Sequence, residues 1–310
     1  LLFLTIQSAN SSQIIPTFGI FALAAFLLLP SVNRIMISVN GLRYSSSAID
    51  IVEQQLNDAS LISNHTTNEN EVRNSLPFTE SIDIQELTHR YDDAETISLN
   101  NISLSIKKGE SIGIIGKSGS GKSTFVDVIL GLLTPTSGTI AVDGNCIFEN
   151  LRGWQQIVGY VQQDVFLLDD SILKNIAFGI PEDNIDFKRL NQTIKEAQLD
   201  DFVDTLSEGL NTQLGERGLR LSGGQKQRIG IARALYHESS ILVFDEATSA
   251  LDSETETEII TAISNLKGNK TIIIIAHRVS TLKSCDRILE LSEGAIVNTF
   301  QGIEIEKLVK

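Results

Sequence analysis

Positive charge, cysteine and N-terminal charge of either sign are scarce in this sequence. Its 25 lysines and arginines stand against 39 aspartates and glutamates, a formal net charge of −14 over 310 residues. A protein that grips a phosphodiester backbone needs a basic surface, so this balance argues against nucleic acid as a partner. The two cysteines, Cys146 and Cys285, lie far apart and in no metal-ligand spacing. They read as two free thiols in a reducing compartment. Residues 1–13 carry no charge at all, so the basic segment that a secretory signal needs is missing. The remainder is ordinary for a globular protein, with 42% hydrophobic and 21% charged residues. The length allows one or two domains and one substantial core.

Residues 14–29, IIPTFGIFALAAFLLL, form an uncharged, largely apolar run that ends at Pro30. This run is shorter than the roughly 20 residues a membrane-spanning helix needs. Continuation past Pro30 through Ile35, Met36, Ile37 and Val39 supplies the rest, because membrane helices tolerate proline. The expectation is a last membrane helix over about 14–39; a buried helix of a soluble protein is the alternative. Arg34 and Arg43 follow the run and nothing charged precedes it, which places its C-terminal side in the cytoplasm. Leu1–Ile6 then reads as the tail of a preceding membrane helix and Gln7–Gln13 as a short external loop. The start at Leu1, within apolar sequence, predicts that the protein continues further toward the N-terminus. Val39, Leu42, Ile49, Val52 and Leu56 recur at helical gaps and predict a cytoplasmic extension. Residues 1–56 are thus expected to end a transmembrane domain. Residues 57–79, polar and asparagine-rich, are expected to be a linker, and 80–310 a folded domain.

Within that domain, Ser111–Ile115, Ile241–Phe244 and Thr271–Ala276 are short, β-branched and non-alternating, as strands buried on both faces of a parallel sheet are. Helical patterns over Gly121–Leu132, Gly224–Tyr236 and Glu254–Leu266 lie between them. The fold class is therefore α/β. In open α/β sheets ligands bind beyond the carboxyl ends of the strands, and each of these runs ends there in chemistry. The first enters Gly116-Lys117-Ser118-Gly119-Ser120-Gly121-Lys122-Ser123-Thr124, which fits the P-loop pattern. Its glycines let backbone N–H groups turn toward phosphates at a helix N-terminus. Lys122 is expected to reach the β- and γ-phosphates, Ser123 to ligate Mg²⁺, and Thr124 to add a hydroxyl nearby. The second run ends in Asp245, expected to hold Mg²⁺, and Glu246, expected to orient or deprotonate the attacking water. The third ends in His277. Leu221-Ser222-Gly223-Gly224-Gln225 precedes another helix and forms a second anion cradle. One P-loop already holds one triphosphate, so this second cradle points to an ATP held by another copy of the domain. The absence of an NKxD-type guanine-reading segment disfavours GTP.

The ordered set GKSGSGKST, LSGGQ, ILVFDE, SALD and AHR resembles an ABC ATPase from about residue 80 to the C-terminus. The resemblance implies a P-loop NTPase domain of ABC type, preceded by the end of an all-α transmembrane domain. It also implies that two domains sandwich two ATP molecules, with Ser222, Gly223, Gly224 and Gln225 on the opposite nucleotide's γ-phosphate. Tyr91 is similar to the aromatic residue that stacks on adenine, Asp252 to the loop that communicates across the dimer, and His277 to the switch histidine at the γ-phosphate. Gln163 resembles the glutamine that senses Mg²⁺ and water and contacts the membrane domain; Gln162 stands where the family usually has proline. The upstream membrane segment and Gly215-Glu216-Arg217-Gly218 resemble the exporter form, with a multi-pass protein of the inner or plasma membrane and a cytoplasmic ATPase domain. Leu29-Pro30-Ser31-Val32-Asn33-Arg34-Ile35 is similar to a stretch of bacterial flippases for lipid-linked oligosaccharides, which implies a lipid or lipid-linked saccharide as cargo. The alternatives are a peptide or drug exporter, a soluble ABC ATPase of chromosome maintenance or translation, and a regulatory domain that binds ATP without hydrolysing it.

Overall fold

The computed structural model describes residues 11–64, 76–92, 94, 96–215, 218, 221–246, 253–276 and 278–305. The chain divides into two compact units, Leu1–Val72 and Arg73–Lys310. In the first unit one helix, α1 (Ser11–Asn64), passes through Pro16 and Pro30 without ending. It runs beyond Leu56, where the apolar recurrence stops, into residues whose polar composition suggests a linker. Within it, Phe18–Glu53 is long and apolar enough to cross a membrane, by length and composition. Its large apolar side chains, Phe26, Leu29 and Met36 among them, are exposed.

The second unit holds the strands β1 (Ser81–His89), β2 (Leu99–Lys107), β3 (Ser111–Ile115), β4 (Ser137–Val142), β5 (Asn145–Cys146), β6 (Val158–Val161), β7 (Ile241–Asp245), β8 (Thr271–Ile275), β9 (Arg287–Ser292) and β10 (Ala295–Gln301). Its helices are α2 (Lys122–Ile129), α3 (Leu151–Ile157), α4 (Ile172–Ile176), α5 (Phe187–Glu196), α6 (Asp200–Asp204), α7 (Gly223–Tyr236) and α8 (Ser253–Asn265). The strands form two sheets, of order β2-β1-β4-β5 and β10-β9-β3-β8-β7-β6. The first is antiparallel; in the second, β9, β3, β8, β7 and β6 are parallel and β10 closes a hairpin.

Side-chain alternation explains why the parallel strands read as unbroken apolar runs. Ile112, Ile114, Ile241, Val243, Ile273 and Ile275 join a core with the antiparallel sheet and with Phe125 and Ile129 of α2. Leu242, Phe244, Ile272 and Ile274 face the other way, into a core with Ile229 and Ala232 of α7 and Ile259 and Ile263 of α8. Helix α2 is closed at its C-terminal end by Trp154, fully buried, whose indole N–H donates to the Ile129 carbonyl at 2.7 Å. That bond satisfies one of the carbonyls a helix end leaves over. Both cysteines are free. Burial, reinforced by Asp286, pushes the Cys285 thiol up to about 12, where it is inert.

The turn after β4 ties down the entry of β1. Asp143 accepts bonds from the Thr79 hydroxyl and from the N–H groups of Thr79, Glu80 and Ser81. Burial alone raises its pKa, but these bonds outweigh it and hold the carboxyl at about 2 against an ordinary 3.8. A depressed folded-state pKa gives stability that is present above pH 4 and lost as pH falls toward 2. Asp143→Asn is expected to cost about 1 kcal/mol near neutrality, the low end for bonds to an ion because the site is open to solvent. The difference in melting temperature between variant and parent should shrink as pH falls from 4 through 2. An unchanged difference across that range would contradict the assignment.

Candidate nucleotide site

The phosphate loop connects the buried strand β3 to α2. Gly119 and Gly121 lie in the left-handed region, φ 79° and 101°, which glycine enters without cost. Gly121 also has no room for a side chain, since a Cβ there would stand 2.6 Å from the Ser98 carbonyl. Lys122 is buried, and its ammonium donates to the carbonyls of Gly116 at 2.9 Å and Lys117 at 3.1 Å. The loop therefore wraps its own lysine, two of whose three donors fix its shape. Ser120 is buried and its N–H closes a turn to the Lys117 carbonyl. Ser118, Gly119 and Ser123 are exposed. Tyr91, 41% exposed, lies beside Thr124, their hydroxyls 3.2 Å apart. The His89 ring meets the Tyr91 ring edge-on, with 5.0 Å between centroids, so an exposed aromatic face is held next to the loop.

Strand register brings the acidic pair level with this loop. Ile275 of β8 is paired both with Ile114 of β3 and with Asp245 of β7. Two residues past Ile114 the loop begins, and Asp245 stands at the same height. Glu246 follows with φ 47°, a conformation a non-glycine residue rarely adopts, and its N–H donates to the Ile275 carbonyl at 3.0 Å. Asp245 accepts a bond from the Tyr160 hydroxyl at 3.0 Å. Burial, then the charge of Asp245, raises the pKa of Asp127 on α2. Burial and the same carboxylate raise that of Tyr160. Asp127 and Asp245 are thus close enough to act on each other, and Ser123, on the same helix as Asp127 and four residues before it, is exposed. Hard oxygen donors of this kind suit Mg²⁺, which takes one or two protein ligands and fills the rest with water and phosphate.

The second glycine-rich element opens α7. Ser222 and Gln225 form a reciprocal capping box: the Ser222 hydroxyl accepts from the Gln225 N–H at 3.2 Å, and the Gln225 side chain accepts from the Ser222 N–H at 2.9 Å. Gly223 is exposed. A Cβ on Gly224 would stand 1.9 Å from the Thr255 methyl, so glycine lets α7 close onto α8. The hydrogen bonds of Ser222 and Gln225 stay within the cap. These side chains are not bonded to their own chain's phosphate loop among the described residues. One helical face further on, the buried Gln227 amide donates to the carbonyls of Gln162 and Gln163, at 3.2 and 2.5 Å. Arg233 donates to the Phe166 carbonyl at 3.0 Å. The exposed Gln163 side chain therefore rides on a backbone clamped to α7.

A family model described as ABC transporter matches residues 99–249, which hold the phosphate loop, the capping element and the acidic pair. Residues 99–249 thus form an ABC transporter domain. The chain's ABC domain is similar to the ATP-dependent lipid A-core flippase of Cupriavidus metallidurans, 42% identical over 223 residues, covering 71% of this chain and 37% of that protein. It is also similar to the alpha-hemolysin translocation ATP-binding protein of Proteus vulgaris, 45% identical over 217 residues, 70% of this chain and 30% of that one. The structure of a bacterial Atm1-family ABC exporter with ATP bound superimposes with a TM-score of 0.69 at 34% identity, covering 76% of this chain and 41% of that chain. The chain thus spans between 30% and 41% of the length of these relatives.

Asp252 and His277, with Glu216 and Arg217 of the GERG segment, lie outside the described residues. The ABC domain also contains neighbours of the site that sequence reasoning missed. Asp127 follows Ser123 and Thr124 by four and three residues and so shares their helix face, a signal that was legible. Tyr160 and Gln227 gave none, because their partners are 85 and 64 residues away.

Proposed function

We propose that two copies of this ABC domain close around two Mg-ATP molecules, hydrolyse them, and so drive an exporter. The observation that carries this reading is the register that sets Asp245 and Glu246 level with the loop wrapped around Lys122. The third donor of Lys122 and the loop N–H groups of Gly116, Ser118, Gly119 and Gly121 would bind the β- and γ-phosphates, in a loop whose turn the Ser120 N–H closes. Tyr91 would stack on adenine. Ser123 and Asp245, with Gln163, would hold Mg²⁺, which when bound offsets charge on the phosphate oxygens. Glu246 takes a proton from water as its oxygen bonds to the γ-phosphorus and the bond to the bridging oxygen breaks, giving ADP and phosphate. His277 would steady the γ-phosphate. The capping box supports a lid supplied by the second copy. The Ser222 hydroxyl uses a lone pair for the cap and keeps its hydrogen for a phosphate oxygen, beside the N–H groups of Gly223 and Gly224. Asp252 would carry the signal between copies.

The apolar helix α1 supports a membrane location, with the ABC domain on the side of Arg34 and Arg43. For the cargo, the flippase relatives and the stretch Leu29–Ile35 favour a lipid or lipid-linked saccharide. The similarity to a protein-toxin translocator favours peptide as the second reading. Phosphate release by the full-length protein in proteoliposomes separates them. Stimulation several-fold by lipopolysaccharide, and not by peptide, is expected; stimulation by peptide alone would move the cargo to the second reading. A protein that stays soluble and releases no phosphate would refute both.

A further inference from the structure

Tyr160 holds Asp245 from a strand that carries none of the phosphate-binding segments. In the parallel pair β6–β7, Tyr160 stands opposite Val243. Residues two apart share a face, so Tyr160, Val243 and Asp245 project from the same side of the sheet. Phe125 and Ile129 of α2 cover that side, and the Tyr160 ring packs against this core. The hydroxyl then reaches diagonally along β7 to Asp245 Oδ2 at 3.0 Å. Asp127 lies close on the α2 side, one turn below Ser123 and Thr124, and its charge repels that of Asp245. A carboxylate pressed by a second carboxylate turns away unless a donor holds it. Tyr160 is the side-chain donor that does so among the described residues. It stands two residues before Gln162 and three before Gln163, so the strand that leads to the clamped glutamines also holds the acidic end of β7.

We propose that Tyr160 is a positioning residue for the metal site: its hydroxyl engages Asp245 Oδ2 and leaves the other carboxylate oxygen for Mg²⁺. This rests on the reading of Asp245 as a metal-holding residue. Tyr160→Phe keeps the ring in its core and removes only the donor. Partners that orient metal-holding groups typically change metal affinity by about 10- to 100-fold. In the full chain with saturating ATP, the dissociation constant for Mn²⁺ measured by electron paramagnetic resonance should rise about 10-fold on Tyr160→Phe. Metal-free ATP affinity should stay within about twofold, because the loop and Lys122 are untouched. The Mg²⁺ concentration for half-maximal phosphate release should rise in parallel while the rate at saturating Mg²⁺ recovers.

Asp245→Asn separates the two layers of the idea. If it weakens Mn²⁺ binding and Tyr160→Phe does not, the positioning role is wrong and the metal reading stands. If Asp245→Asn leaves Mn²⁺ binding intact, the metal reading fails and the positioning role with it. In the double variant, no loss beyond that of Asp245→Asn is expected; additive loss would mean that Tyr160 acts elsewhere and would overturn the proposal.

Discussion

Lys122→Ala is expected to lower ATP affinity by roughly 100-fold. The reason is electrostatic. The ammonium is buried and held by two loop carbonyls, so it would meet a phosphate without first being gathered in from solvent. Truncating one partner of such a charged contact costs about 3 kcal/mol, or roughly 100-fold in a dissociation constant. The same change frees the carbonyls of Gly116 and Lys117 that give the loop its shape, so cost in binding and cost in pre-organisation have one origin. Lys122→Arg separates charge from geometry. It keeps the charge, but its planar fork cannot reproduce a compact point donor between two carbonyls, and affinity should not return to the parent value. Titration of a fluorescent ATP analogue into the full-length protein makes the comparison; parent-like affinity in Lys122→Ala would remove the lysine from the phosphate site.

Glu246→Gln should leave ATP binding intact and slow phosphate release by about 1,000-fold, within the range assigned to a positioned general base. The substitution is nearly isosteric, and the backbone there is fixed independently by the bond from the Glu246 N–H to the Ile275 carbonyl. A glutamine in that place can still orient water but cannot take its proton. The variant should therefore collect as a closed pair of ATP-bound domains, seen as ATP-dependent cross-linking between copies. Unimpaired turnover would transfer the role to another residue.

The parts of this fold that were legible in the sequence are those written locally. Residues 111–115, 241–244 and 271–276 read as strands because both faces of each are buried. The phosphate loop was legible because the backbone geometry at Gly119 and Gly121 demands glycine. The helix through Pro30 was legible because apolar residues resume beyond it. The antiparallel sheet was not. β2 and β4 show burial on one face only and in part, and β1 breaks register between Ile84 and Leu87. Glu86 and Asn101 have φ of 49° and 50°, so period-two patterning is interrupted where it would have been read. In the site, the chemistry-bearing residues stood out by type, whereas those that hold them did not. Tyr160 on Asp245 and Gln227 on the Gln163 backbone are ordinary polar residues until strand register and helix packing bring distant segments together. Helix α1 ends at Asn64, eight residues beyond Leu56, where the apolar recurrence stops and periodicity no longer marks a helix.

A second copy of the domain gives the capping box at Ser222 a purpose that a single copy does not. Its donors are ordered in advance by Gln225, yet no bond ties them to their own chain's loop among the described residues. The structure of Glu246→Gln bound to Mg-ATP tests this most directly. The account predicts a triphosphate enclosed by the loop around Lys122 of one copy, with the Ser222 hydroxyl of the other copy on its γ-phosphate. A nucleotide bound away from that loop, or enclosed by one copy alone, would contradict it.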